Sequence, residues 1–182
     1  MAAATESLPA AAEAEPWRPR KRLWALLLFV AVVLMALGGI RQWRDDHLFL
    51  INASESLPNW AFVINRHEAP ARGRYVFFDP PHVPLVVSHF GERPKMFGKI
   101  VYGIPGDLVE HRGADVIVAG KHVATMKPRT RKGEALTPGA TGIVPQGCYF
   151  VGTPHKDGFD SRYAEIGFVC RQQVIGVGVP VL

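Results

Sequence analysis

The chain has 182 residues, 48% of them apolar and ten of them Phe, which suits one domain of ordinary size or one domain with an appendage. Eighteen Gly and fifteen Pro favour strands and turns over long helices. The formal charge of +5 is gathered in short runs and forms no continuous basic face, which argues against a nucleic-acid partner.

Residues 1–16 are rich in Ala, Glu and Pro and lack aromatics, so they read as disordered. Arg18, Arg20, Lys21 and Arg22 complete a basic tail over residues 1–22. Residues 23–40, LWALLLFVAVVLMALGGI, contain no charge and as a helix span about 27 Å, close to a hydrocarbon core. Trp24 and Trp43 stand near its two ends, as interfacial anchors do. The rivals are a buried core helix and a cleaved secretory signal with ALGG (36–39) as its cutting site, but the apolar run is long for a signal h-region. Four cations precede the span, whereas Arg41 and Arg44 follow it beside Asp45 and Asp46. That asymmetry predicts a single-pass inner-membrane protein with a cytoplasmic N-terminus and residues 41–182 exported to the periplasm.

Beyond the span the chain reads as β-rich. Short apolar or alternating runs occur at 75–79, 84–90, 99–104, 115–120, 121–126, 147–152, 166–170 and 173–179, separated by Gly, Pro and Asp. Gly120-Lys121 is the expected tip of a tight hairpin. Residues 127–142, KPRTRKGEALTPGATG, read as a mobile, solvated connection whose four cations face water. Cys148 and Cys170 fall in two strand-like runs. They form a disulfide if their Cα atoms come within about 7 Å in an oxidising compartment, or else remain two buried thiols. The expected class is mainly β, a compact antiparallel domain preceded by one transmembrane helix.

No H-E-x-x-H, C-x-x-C, G-x-S-x-G or complete Walker motif occurs, and the seven His (47, 67, 82, 89, 111, 122, 155) lack metal-ligand spacing. No metal or other cofactor is therefore implied. Three segments remain. In Asn52-Ala53-Ser54-Glu55-Ser56-Leu57-Pro58 the proline biases Leu57 to an extended path, and Ser54 and Ser56 point the same way along a strand. A nucleophile and an oxyanion donor can then meet one carbonyl, although a Ser-rich turn or an N-x-S acceptor has the same composition. Lys99 heads an apolar strand that ends in a Pro105-Gly106-Asp107 turn. Desolvation there favours the neutral amine, which can take a serine proton, although a snorkelling lysine also suits a strand end. Residues 152–163 form a polar loop containing Asp160-Ser161-Arg162-Tyr163, functional or plainly connecting.

Taken in order, these segments resemble the boxes of type I signal peptidases. K-x-V-x-G-x-P-G-D is complete from Lys99, D-S-R-Y follows Gly152, and G-R-Y-V-F-F at 73–78 is similar to the family's intervening strand. The N-x-S-x-S-x-P form of the serine box resembles the conjugative-transfer, TraF-type branch more than the S-M-x-P of housekeeping enzymes. The resemblance implies Ser56 as nucleophile and Lys99 as general base. Ser54, with the Ser56 amide, would form the oxyanion hole, and Asp160 would act as orienter through Arg162 or beside Lys99. It further implies a β-domain with a membrane-associating apolar surface. The implied partners are precursor proteins (a pilin or another signal-bearing precursor), inner-membrane lipid and the conjugative transfer apparatus.

Two departures stand out. Trp60 replaces a glycine of the conjugative branch and is expected to alter the cleft wall. Gly158 replaces the serine that contacts the lysine in housekeeping enzymes, leaving Asp157 or Asp160 to supply that contact. Three rival functions remain: a housekeeping-type leader peptidase, a non-catalytic assembly subunit of a secretion or transfer apparatus, and a His-dependent hydrolase.

Overall fold

The computed structural model describes residues 20–52 and 57–181. The basic tail up to residue 19 lies outside the described residues. So do Ser54 and Ser56. The chain divides into two units, residues 1–42 and 43–182.

Helix α1, Lys21–Asp46, carries apolar side chains on all sides and buries none of them within the protein. Leu28, Phe29 and Met35 are each about two-thirds exposed or more. It is long and apolar enough to cross a bilayer, and it runs past residue 40.

In the second unit every strand pair is antiparallel. The main sheet uses β1 (His47–Ile51), β2 (Ala61–Asn65), β3 (Tyr75–Phe78), β4 (Phe97–Gly103), β9 (Cys148–Gly152), β10 (Val169–Cys170) and β11 (Val174–Pro180), in the order β1-β2-β11-β3-β4-β9-β10. A smaller sheet, β7-β6-β5-β8, is built from β5 (Leu108–Arg112), β6 (Asp115–Val118), β7 (Lys121–Thr125) and β8 (Gly142–Ile143). Alternation along β3 divides the core of the main sheet. Val76 and Phe78 join Val86, Val101, Val151 and Val169 in one cluster, while Phe77 joins Leu57, Phe62 and Ile64 in another. Each such buried Phe or Val contributes about 1.5–3 kcal/mol of transfer free energy.

The proline-glycine-aspartate turn carries the chain from one sheet to the other. Gly106 adopts φ 91°, Asp107 N–H donates to Ile104 O at 3.1 Å, and Ile104 N–H donates to Asp107 Oδ2 at 2.7 Å. Arg72 holds the same carboxylate at 2.6 Å. The Cys148 and Cys170 sulfurs are bonded across the β9–β10 pair.

Three expectations are corrected. Residues 84–90 form a helix, α2 (Pro84–Phe90), because Pro84 supplies a helix start that lacks only an unneeded N–H, and Gly91 ends it. The hairpin tip is Ala119-Gly120, one residue earlier than expected. Both residues have positive φ, as a two-residue turn of this kind requires, and Val118 pairs with Lys121.

Residues 127–142 keep their four cations exposed, as expected, but the segment is not loose. Lys127 and Arg131 both bind Asp157 (Arg131 Nη2 at 2.5 Å), and Lys127 N–H donates to Tyr163 Oη at 2.9 Å. Glu134 meets His89 of α2 at 3.0 Å, while Gly139 N–H donates to Arg162 O and Ala164 N–H to Thr137 O. The segment is a strap fastened at both ends.

The Asp157 carboxyl is held well below the usual range, first by Lys127 and then by Arg131. A depressed carboxyl keeps its partners until pH falls through its folded value, so the strap should stay fastened under mildly acidic conditions. Asp157→Ala should release it. Limited trypsin digestion should then cut at Arg129, Arg131 or Lys132 well before the rest of the domain. Equal digestion rates for variant and wild type would show that Asp157 is not the fastening.

Candidate active site

Lys99 is the third residue of β4, and alternation places it on the same face as Val101 and Gly103. It pairs with Val76 and is only 6% exposed, with its Nζ 5.9 Å from the centroid of the Phe97 ring. Burial pushes the amine pKa below the ordinary lysine value. The Asp160 carboxylate opposes that shift, and the Arg162 guanidinium adds to it.

The D-S-R-Y segment fastens its surroundings residue by residue. Arg162 Nε donates to Asp160 Oδ1 at 2.8 Å and Nη2 to Oδ2 at 2.9 Å, with both residues buried. Nη2 also donates to Thr153 O at 2.8 Å and Nη1 to Thr125 O at 3.4 Å, while Thr153 N–H donates to Asp160 Oδ2. Val151 N–H donates to Ser161 Oγ at 3.0 Å. Tyr163 receives the strap through Lys127.

Gly158 closes over this pair. A Cβ there would lie 2.3 Å from Thr153 Cγ2 and 2.8 Å from both Arg162 Nη2 and Asp160 Oδ2. The position has no room for the serine of the housekeeping enzymes. Asp157 does not take over that serine's role, since it is engaged by the strap, and Asp160 is the acidic group acting on Lys99.

A cleft of about 990 Å³ opens beside the first residues of β4. The pairing of β4 with β9 begins at Ile100–Gly152, so Phe97, Gly98 and Lys99 have no described strand partner on that side. Apolar lining comes from Leu50, Leu57, Phe77, Met96 and Phe97, and cationic lining from Arg93, Lys95, Lys127, Arg129 and Arg131. Asn52 and Leu57, the residues on either side of 53–56, line this cleft together with Lys99. The Asn52 amide donates to Leu57 O at 3.2 Å and to Asn59 O at 3.0 Å, drawing those flanks together. Gly98 makes room for Leu57: a Cβ there would meet Phe77 Cε1 at 2.6 Å and Leu57 Cδ1 at 3.1 Å.

Lys99, Asp160 and Arg162 are thus brought together. Trp60, expected in the cleft wall, is 54% exposed and does not line the cleft. Cys148 and Cys170 are likewise absent from the lining. Two His residues do line it. His155 Nδ1 accepts from Asp157 N–H at 3.2 Å, whereas His89 faces Glu134. The cationic cleft residues were hidden in what read as ordinary solvated charge, and nothing in their spacing marked a common wall.

The chain matches the family described as signal peptidase, peptidase S26, over residues 21–182, and it belongs to that family. Membership implies serine-type peptidase chemistry on this β-domain. The chain is similar to the conjugal transfer protein TraF of Agrobacterium fabrum (strain C58), with 29% identity over 171 residues that cover 86% of this chain and 95% of the relative. Among solved structures it is similar to a signal peptidase I from Enterococcus faecalis V583, with 27% identity and a TM-score of 0.39 over 60% of this chain and 97% of that one.

A lysine whose folded pKa lies below its unfolded value binds fewer protons folded than unfolded between the two. Stability should therefore rise with pH across that window and level off above about 10.4. Urea melts at several pH values should show this slope in the wild type and lose it in Lys99→Met. That variant should also be the more stable protein at neutral pH. Gly158→Ser should instead destabilise by about 1–3 kcal/mol, the usual cost of overpacking. Parallel pH slopes for wild type and Lys99→Met would show that the amine is not desolvated.

Proposed function

We propose that the chain is a membrane-anchored serine endopeptidase in which Ser56 attacks the scissile carbonyl and Lys99 is the general base. The observation that carries this reading is a buried lysine of lowered pKa in a cleft that is also lined by both flanks of the Ser54–Ser56 segment. Neutral Lys99 takes the Ser56 proton as Oγ bonds to the carbonyl carbon. The oxyanion is held by Ser54 and the Ser56 amide. Lys99 passes the proton to the leaving amine. It then takes a proton from water, which hydrolyses the acyl-enzyme and restores Ser56. The unpartnered edge at Phe97–Lys99 suits a substrate in extended form, since backbone pairing there would lay the scissile bond along the strand.

The proposed location is the bacterial inner membrane, single-pass, with the N-terminus cytoplasmic and the catalytic domain periplasmic. The four cations ahead of the uncharged run at residues 23–40 support it. Phe49 and Ile51 of β1 and Val179 of β11 are exposed, as are Trp60 and Val181, and they give the main sheet an apolar face suited to lipid contact. The relative's name supports a role in conjugal transfer; within that role the proposed substrate is a pilin precursor and the proposed partner the transfer apparatus. A second reading rests on the His89–Glu134 contact in the cleft, which is the arrangement of a base and its orienter.

Ser56→Ala and Lys99→Met should each abolish processing of a co-expressed precursor, measured by intact mass, and their losses should not add, because the two act as one unit. Ser54→Ala should slow processing by about 10²–10³-fold. Activity should rise with pH through the lowered lysine pKa. His89→Gln should keep that profile. Processing that survives Lys99→Met and fails in His89→Gln would move the reaction to the histidine. Normal mating by a strain lacking this chain would remove the conjugative role.

A further inference from the structure

The strap and the loop ahead of β4 place cationic side chains in the cleft that the proposed proton transfers do not use. Five of them, Arg93, Lys95, Lys127, Arg129 and Arg131, line it against one carboxylate, Asp157. Asp157 already binds Lys127 and Arg131. Arg93, Lys95 and Arg129 have no carboxylate partner among the described residues; the Arg129 guanidinium donates only to Gly133 O, at 2.8 Å. They come from two segments, residues 91–96 and the fastened strap, and both border the cleft in which Lys99 lies.

We infer that this wall selects precursors bearing an Asp or Glu side chain within a few residues of the cut. The inference rests on the peptidase reading above and names its specificity. A peptide paired along Phe97–Lys99 would lie in the cleft that Arg93, Lys95 and Arg129 also line, so a carboxylate near the scissile bond could meet guanidinium and ammonium groups that have no carboxylate partner among the described residues. Arginine is suited to this, because its planar fork can donate to both oxygens of a carboxylate. The fastening of the strap holds Arg129 in place before substrate arrives, which lowers the entropy cost of the contact. An anionic lipid head offers similar chemistry. A peptide is favoured because these cations share their cleft with Lys99; the exposed apolar residues Ile51 and Phe90 line that cleft as well, so the vesicle arm of the test separates the two sources.

The test compares peptide substrates that carry Glu or Gln at each position within four residues of the cut, using full-length protein in nanodiscs of neutral lipid. At one side of the cut, Glu peptides should show a kcat/KM roughly tenfold above their Gln counterparts, the scale of a few partly exposed ion pairs acting together. That ratio should fall with added salt. The triple variant Arg93→Gln/Lys95→Gln/Arg129→Gln should bring it close to one, while the charge-preserving Arg93→Lys/Arg129→Lys should keep most of it. Fluorescence anisotropy of the same peptides on Ser56→Ala should show the same preference, so the inference is tested even if no peptide is cleaved. Cleavage with equal rates for Glu and Gln peptides would overturn the inference and leave the peptidase reading standing. A preference that survives the triple variant would also overturn it. Loss of binding to phosphatidylglycerol vesicles in that variant, with peptide selectivity unchanged, would assign the cations to lipid instead.

Discussion

Taking two charges out of water costs several kcal/mol per ion, and the Asp160–Arg162 pair offsets this only because its geometry and surroundings are nearly complete. The guanidinium uses two nitrogens on the carboxylate and two on backbone carbonyls, and the carboxylate also receives the Thr153 amide. Those carbonyls come from different parts of the domain. Thr125 closes β7 of the small sheet, and Thr153 follows β9 of the main one. Loss of either charge would strand the other, typically at about 3–5 kcal/mol, and would loosen the junction between the sheets as well as the loop carrying the pair.

The same pair determines how far Lys99 can be neutralised. Burial alone drives the amine pKa down, and in the proposed reaction too weak a base would gain little from accepting a serine proton. Asp160 pulls the value back up, and Arg162 keeps that pull from acting as a full unpaired negative charge. A bidentate pair beside the amine thus behaves as a dipole with a small net field. The close fit of Gly158 over both partners fits this account, since any side chain there would push the pair apart.

The sequence made the chemistry-bearing segments legible more readily than the architecture around them. Lys99, Asp160 and Arg162 were readable because each sits in a short box of several fixed residues. The structure explains the boxes. In K-x-V-x-G-x-P-G-D only the lysine reaches the cleft, and the Pro-Gly-Asp end is a turn fixed by Asp107 and Arg72. The strand-like run at 84–90 misled because an apolar heptamer has no period long enough to separate strand from helix, and Pro84 decided the outcome. Strands β1, β2, β5 and β8 were missed for a related reason: each spans five residues or fewer, too short a stretch for alternation to stand out. The strap could not be read at all, because its fastening depends on Asp157 and Tyr163, which are brought to it only by the tertiary fold.

Under the proposed reading, the strap also bears on how a lysine base could work beside an anionic substrate. A lone carboxylate brought beside Lys99 would favour the protonated amine and weaken the base at the moment it is needed. The same carboxylate seated on Arg129 or Arg93 would present a paired charge, whose field falls off faster with distance than that of a single ion. Removing the strap would then do more than open the cleft to water. It would also leave any substrate carboxylate in the cleft without its cationic partners, and an unpaired carboxylate beside the amine raises the lysine pKa. In the proposed reaction the fastened, cationic strap and the buried lysine of lowered pKa would thus act together, with Asp157 holding the strap and Asp160 opposing the effect of burial on Lys99.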